Sequence, residues 1–135
     1  MITRRQYLRR LDGIFGTPYG RGERVMQACR EAGLVSVGKQ GFVLFDRPLL
    51  PLERAAIILV AALCAGTSAT IVQATELVAA NDNWRRGVLA AALTGEDLTL
   101  YAAVNRSLKV SVTIPNRVMR DPVLGFAGPL ALEAA

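Results

Sequence analysis

The side chains best suited to chemistry in this chain of 135 residues are arginines and a glutamine that recur at three-residue intervals. They are Arg21, Arg24, Gln27 and Arg30, and on a helix the last three fall on the side opposite the apolar residues. Arginine and glutamine are the side chains that hydrogen-bond purine edges in the major groove of DNA. The pattern therefore predicts a helix that presents base-contacting groups to a nucleic acid.

The excess of positive charge lies entirely in the N-terminal third of the chain. The formal net charge is +5. Residues 1–47 carry nine basic and four acidic side chains, and the other 88 residues carry seven of each. Clustered basic groups bind nucleic acid by releasing its counterions, so this asymmetry predicts one polyanion-facing end and one packing or partner-facing end. We expect phosphate contacts from Arg4, Arg5, Arg9 and Arg10, and a sugar or phosphate contact from Tyr19.

Catalysis and metal binding are poorly supported by the residue types present. The chain has no histidine, the commonest general base and transition-metal ligand. Its two cysteines, Cys29 and Cys64, are too far apart for a CxxC pair and too few for a zinc site. The adjacent Glu96 and Asp97 would point apart on a helix. We therefore expect no enzyme activity, cofactor or metal, and two buried thiols in a reducing, cytoplasmic setting.

Two helices must position the basic residues. Thr3 caps a first helix that runs to about Asp12, with its apolar residues facing inward and its arginines outward. A second helix begins between Pro18 and Gly22 and ends at Ala32. Its apolar sector contains Val25, Met26, Cys29 and Ala32.

The remaining chain alternates strand and helix signals. Residues 34–37 and 42–45 are rich in β-formers around a glycine-bracketed turn at 38–41, which predicts a hairpin. A capping-box spacing at 94–97 favours a sixth helix to about residue 106, although 98–101 also alternates as a strand would. From Pro115 onward no periodic pattern remains. The other predicted elements are helices at 52–65, 69–80 and 84–93 and a strand at 108–114.

The order of helix, glycine stop and hairpin resembles a known DNA-binding family. The string Arg30-Glu31-Ala32-Gly33-Leu34-Val35, followed by Gly38-Lys39-Gln40-Gly41-Phe42-Val43-Leu44, resembles the recognition helix and wing of winged helix-turn-helix proteins. The resemblance implies that Lys39 and Gln40, at the wing tip, contact the DNA backbone or minor groove. The first two predicted helices are separated by about seven residues, against the usual turn of about 3–4.

Together these observations predict a mainly α fold with a small β component: an N-terminal winged helix-turn-helix, then a helical region with one or more short strands. Residues 1–47 form the DNA-binding module, 48–114 the helical core and dimerisation region, and 115–135 a C-terminal tail. The function expected is that of a sequence-specific regulator of transcription that binds double-stranded DNA as a homodimer and represses. The size and composition also suit a phage or mobile-element regulator.

Two other hypotheses remain open at this stage. The winged module could hold a protein instead of DNA, as in a phage packaging adaptor (such as a small terminase-like subunit) or an inhibitor of a host complex. The uncharged stretch 55–75 could associate with a membrane, but its apolar part, 55–65, is about half the length of a span, so we expect no membrane partner. The run 55–63 is either core or dimer interface.

Overall fold

The computed structural model describes residues 3–18, 20–36, 49–103 and 109–125, and the backbone alone at 39–40 and 44–45. The expectation of a mainly helical fold with a small β component is confirmed. The helices are α1 (Arg4–Phe15), α2 (Arg21–Glu31), α3 (Pro51–Gly66), α4 (Ile71–Ala80), α5 (Asp82–Thr94) and α6 (Asn116–Met119). The strands are β1 (Lys39–Gln40), β2 (Leu44–Phe45), β3 (Leu98–Ala103) and β4 (Lys109–Ile114).

The core is organised around α3, which is apolar on nearly every face. Every residue from Ala55 to Leu63 is buried, and α1, α2, α4, α5 and β4 all pack against this helix. The run 55–63 is therefore the core of a single chain rather than the surface that a second copy would cover. Within the described residues, no helix has the length and hydropathy needed to cross a bilayer, and α3, the longest, has 16 residues.

A tight crossing joins α1 to α2. Thr3 caps α1 as expected, its hydroxyl accepting from the backbone N–H of Gln6, but the helix runs on to Phe15 and ends at a left-handed glycine. Asp12 then braces the connection, because its Oδ1 accepts from Gly22 N at 2.8 Å and from Thr17 Oγ1 at 2.9 Å. These bonds fix the angle at which α2 leaves α1.

Gly22 of α2 lies directly against α1. A Cβ atom at this position would be 3.1 Å from the carbonyl oxygen of Leu8 and 3.2 Å from Asp12 Oδ1. We expect Gly22→Ala to lower the free energy of unfolding by about 1–3 kcal/mol, measured by urea denaturation. Gly13→Ala in α1 is the matched control, because a Cβ atom added at Gly13 would have no neighbour within 4 Å apart from the backbone of its own helix. The control should raise stability by up to about 1 kcal/mol.

The first hairpin forms with a different register from the one predicted. Lys39 pairs with Phe45 and Gln40 with Leu44 in an antiparallel ladder, so Lys39 and Gln40 lie in a strand and not at the tip of a turn. The predicted strand at 34–37 is wrong at Leu34 and Val35, which are buried without strand structure. Both are apolar and follow directly on α2, so packing against the core outweighs strand pairing. Residues 41–43 lie outside the described part of the chain.

A second hairpin replaces the predicted sixth helix. Residues 98–103 form β3, which pairs with β4 from Leu98 opposite Ile114 to Ala103 opposite Lys109. The prediction of a helix here is wrong, and the strand indicated by the alternating pattern at 98–101 is present. Along β3 the exposed residues Thr99, Tyr101 and Ala103 alternate with more buried ones, with Leu100 buried, and this two-residue period is that of a strand and not of a helix.

The residues assigned to a C-terminal tail are part of the core as far as residue 125. Val118 and Met119 on α6 are buried, and Leu124 is fully buried. The hydroxyl of Tyr7 donates to the carbonyl oxygen of Leu124 across the core. One turn of helix is too short to produce a periodic pattern, so these contacts could not be predicted from the sequence. Residues 126–135 lie outside the described part of the chain.

Candidate nucleic-acid interface

The outer side of α1 presents two free arginines. Arg5 and Arg9 are exposed, and neither forms an ion pair within the described residues. They are four residues apart, so they project from the same face of the helix one turn from each other. These are the positions at which the sequence predicts phosphate contacts.

Arg4 does not project outward, contrary to prediction. Its side chain is only 9% exposed and forms an ion pair with Glu23 of α2. The reason is its position in the helix, since Tyr7, Leu8 and Leu11 lie three, four and seven residues further on and define the buried face. Burial, together with the nearby charge of Arg30, lowers the pKa of Arg4. Arg4 therefore joins α1 to α2 and is not available to a ligand as an exposed side chain.

A shallow groove runs between α1 and the start of α2. Its volume is about 290 Å³, and it is lined on the α1 side by Arg4, Arg5 and Arg9. Asp12 and Glu23 also line it, but both carboxylates are already bonded, Asp12 to Gly22 N and Glu23 to Arg4. Arg4 and Glu23 balance each other, whereas the donors to Asp12 are uncharged and leave its negative charge in place, so Arg5 and Arg9 give the lining a small positive excess.

The outer face of α2 carries three of the four residues predicted to contact bases, namely Arg24, Gln27 and Arg30. Arg24 and Gln27 are exposed and Arg30 is half-buried. The amide of Gln27 donates to Oε1 of Glu31 at 3.0 Å, so one acid of this face orients the glutamine. Arg24 forms no ion pair with a described residue and lies one helical turn beyond Gly20, which lines the groove. Arg5, Arg9, Arg24 and Arg30 together are called the arginine surface below.

Arg21 is separated from this surface. It lies on the opposite edge of α2, half-buried against α3, where it lines a small cavity with Cys64. Burial raises the pKa of the Cys64 thiol, and the adjacent Arg21 offsets part of that effect. Burial also raises the pKa of Cys29 to about 12, so this thiol remains protonated at neutral pH. Tyr19 lies outside the described residues, as do the side chains of Lys39 and Gln40.

Arg10 also forms an ion pair, with Asp121, which the sequence pattern did not indicate. Its Nε and one terminal nitrogen donate to Oδ1 of Asp121, at 3.1 and 2.6 Å. The other carboxylate oxygen of Asp121 accepts from the backbone N–H groups of Val123 and Leu124. Arg10 therefore anchors the C-terminal segment on α1, and its charge is balanced.

No group of three potential metal ligands occurs among the residues that the structure describes. Comparison with known proteins gives no family: no family model matches the chain, and neither a curated protein nor a solved structure matches it.

Proposed function

We propose that this protein binds double-stranded DNA through the arginine surface. The observation that carries the proposal is that Arg5, Arg9 and Arg24 are exposed on two adjoining helices and form no ion pair within the described residues. Surface arginines without acidic partners maintain a positive potential that attracts phosphate, and DNA affinity depends on such groups lying together.

The two helices would divide the work of binding. Arg5 and Arg9 are exposed and line the groove, so they are assigned to the DNA backbone. Arg24 and Gln27 project from α2 and are assigned to base edges in the major groove. The hairpin of β1 and β2 supplies Lys39 for a further backbone contact, as the resemblance to winged helix-turn-helix proteins implies.

On this basis the protein is a sequence-specific regulator that acts as a dimeric repressor. Two copies would present two arginine surfaces to half-sites related by two-fold symmetry. Because α3 is covered within one chain, a second copy would contact the outer sides of α4, α5 or the β3–β4 hairpin. A bound dimer of this kind blocks access to a promoter by occupancy alone.

A salt titration of binding to duplex DNA tests the proposal. Affinity should fall steeply with salt, with a log–log slope of about −4 or steeper if each arginine of the surface neutralises one phosphate. Fluorescence anisotropy of a labelled duplex measures the slope. No binding at low salt, or a slope near zero, contradicts DNA binding by this surface.

Sequence preference should depend on Arg24 and not on Lys39. We expect Arg24→Ala to relax the preference selected from a random pool of oligonucleotides, with a loss of about 1–3 kcal/mol on the selected site. Lys39→Ala should weaken all sequences about equally. If the two variants lower affinity uniformly and to the same extent, Arg24 does not contact bases.

A second function has one observation in its favour. Tyr101, on the open face of the β3–β4 hairpin, is 75% exposed, and large exposed aromatic residues are typical of protein interfaces. A packaging or assembly module would use such a face to hold a protein partner. Light scattering distinguishes the two functions, because a dimer favours the regulator and a stable ring of many copies favours assembly.

A further inference from the structure

Glu53 is a buried carboxylate that joins two distant parts of the chain. It lies in the first turn of α3 and is only 6% exposed. Its Oε2 accepts from the backbone N–H of Ser36 at 2.8 Å and from Ser36 Oγ at 3.2 Å, and its Oε1 accepts from Leu50 N at 2.9 Å. Ser36 follows α2 and Leu50 precedes α3, so one side chain holds both ends of the segment that contains β1 and β2.

The surroundings of Glu53 make this arrangement unusual. Leu34, Val35 and Leu49, which flank the bonded residues, are buried, and beyond Arg54 the helix α3 is apolar and buried from Ala55 to Leu63. A carboxylate is costly in such a place unless donors satisfy it, and the described part of the chain supplies three donors. The bonds are directional, so they fix the positions of Ser36 and Leu50, at the two ends of the hairpin segment, more tightly than apolar packing does.

The segment held by Glu53 lies next to the arginine surface. Strand β2 contacts α1, the helix that carries Arg5 and Arg9. We propose that Glu53 is the positioning residue of the β1–β2 hairpin: by holding Ser36 and Leu50 it keeps the hairpin beside α1, where the hairpin adds to DNA affinity. The DNA part of this inference rests on the proposed function, whereas the positioning of the hairpin does not.

Amide hydrogen exchange tests the positioning directly. Glu53→Gln replaces one accepting oxygen by a donor, so we expect exchange across β1 and β2 to become about tenfold faster, while α3, α4 and α5 stay within about twofold of the wild type. Glu76→Gln, at an exposed position of α4, is the matched control and should change neither. Unchanged exchange in the hairpin, or an equal increase throughout the chain, overturns the proposal.

Ser36→Ala provides a milder variant in case the glutamine variant does not fold. It removes the 3.2 Å bond from Oγ and retains the backbone N–H bond. Exchange across β1 and β2 should then rise by about two- to threefold, with no change in the helices. No rise in the hairpin would show that Glu53 does not hold it through Ser36.

A double-mutant cycle tests the effect on DNA affinity. If Glu53 acts through the hairpin, Glu53→Gln and Lys39→Gln should each weaken binding by about three- to tenfold, and the double variant should be no weaker than the weaker single variant. Losses that multiply would show that Glu53 acts elsewhere. If the wild type binds no DNA, the proposed function fails, and hydrogen exchange still decides whether Glu53 positions the hairpin.

Discussion

Replacing Arg5, Arg9 and Arg24 together by glutamine is expected to weaken binding to duplex DNA by about 100- to 1,000-fold at about 0.1 M salt. Each exposed arginine that leaves a phosphate forfeits the release of about one counterion, so the log–log salt slope should become less steep by about three. None of the three side chains forms an ion pair within the described residues, so the substitutions leave no acid unpaired there and should change the free energy of unfolding little.

The control for this variant removes the same charge from other surfaces. Arg86, Lys109 and Arg117 are all exposed and belong to α5, β4 and α6. Replacing these three by glutamine lowers the net charge equally, so any purely global electrostatic effect is shared by both triple variants. Affinity should fall by less than about tenfold in the control. If the two triple variants lose affinity equally, DNA does not bind at the arginine surface.

The sequence predicts the helical part of this fold well where periodicity is strong. In α2 the apolar residues Val25, Met26 and Cys29 are buried and Arg24 and Gln27 are exposed, as the amphipathic pattern requires. Ala32 is exposed because it follows the last residue of the helix. A local pattern of this kind needs no knowledge of distant residues, which explains why it succeeds.

Prediction fails where a partner far along the chain decides the outcome. Residues 98–103 have both a capping signal and an alternating pattern, and pairing with β4 selects the strand. Arg4 and Arg10 have the same residue type as Arg5 and Arg9, yet Glu23 and Asp121 engage the first two. The composition of the arginine cluster was therefore visible in the sequence, but the members that remain free were not.

Asp121→Ala is expected to lower the free energy of unfolding by about 3 kcal/mol at neutral pH. The carboxylate is 4% exposed and accepts four hydrogen bonds, two from Arg10 and two from the backbone N–H groups of Val123 and Leu124. Arg10 itself is half exposed, so water can solvate it once its partner is removed. Most of the lost stability therefore comes from the two backbone N–H groups that are left without an acceptor. Urea denaturation measures the loss.

The effect of pH distinguishes the charge of Asp121 from its packing. Burial alone would raise the pKa of this carboxyl, but the hydrogen bonds from Arg10, Leu124 and Val123 outweigh burial and lower the pKa below its ordinary value of 3.8. The unfolded chain therefore takes up the proton more readily than the folded protein. The stabilisation is fully present above about pH 5 and is lost as the pH falls through the lowered pKa, so the gap between wild type and Asp121→Ala should narrow from about pH 4 downward.

Two variants make the interpretation of this result specific. Asp121→Asn keeps an oxygen for the backbone N–H groups but no longer carries the charge that Arg10 binds, so it should lose about half as much stability as the alanine variant. Asp82→Ala breaks an exposed ion pair with Arg85 and should cost less than about 1 kcal/mol. If the gap between wild type and Asp121→Ala is the same at pH 7 and pH 3, the stabilisation does not come from the ionised carboxylate.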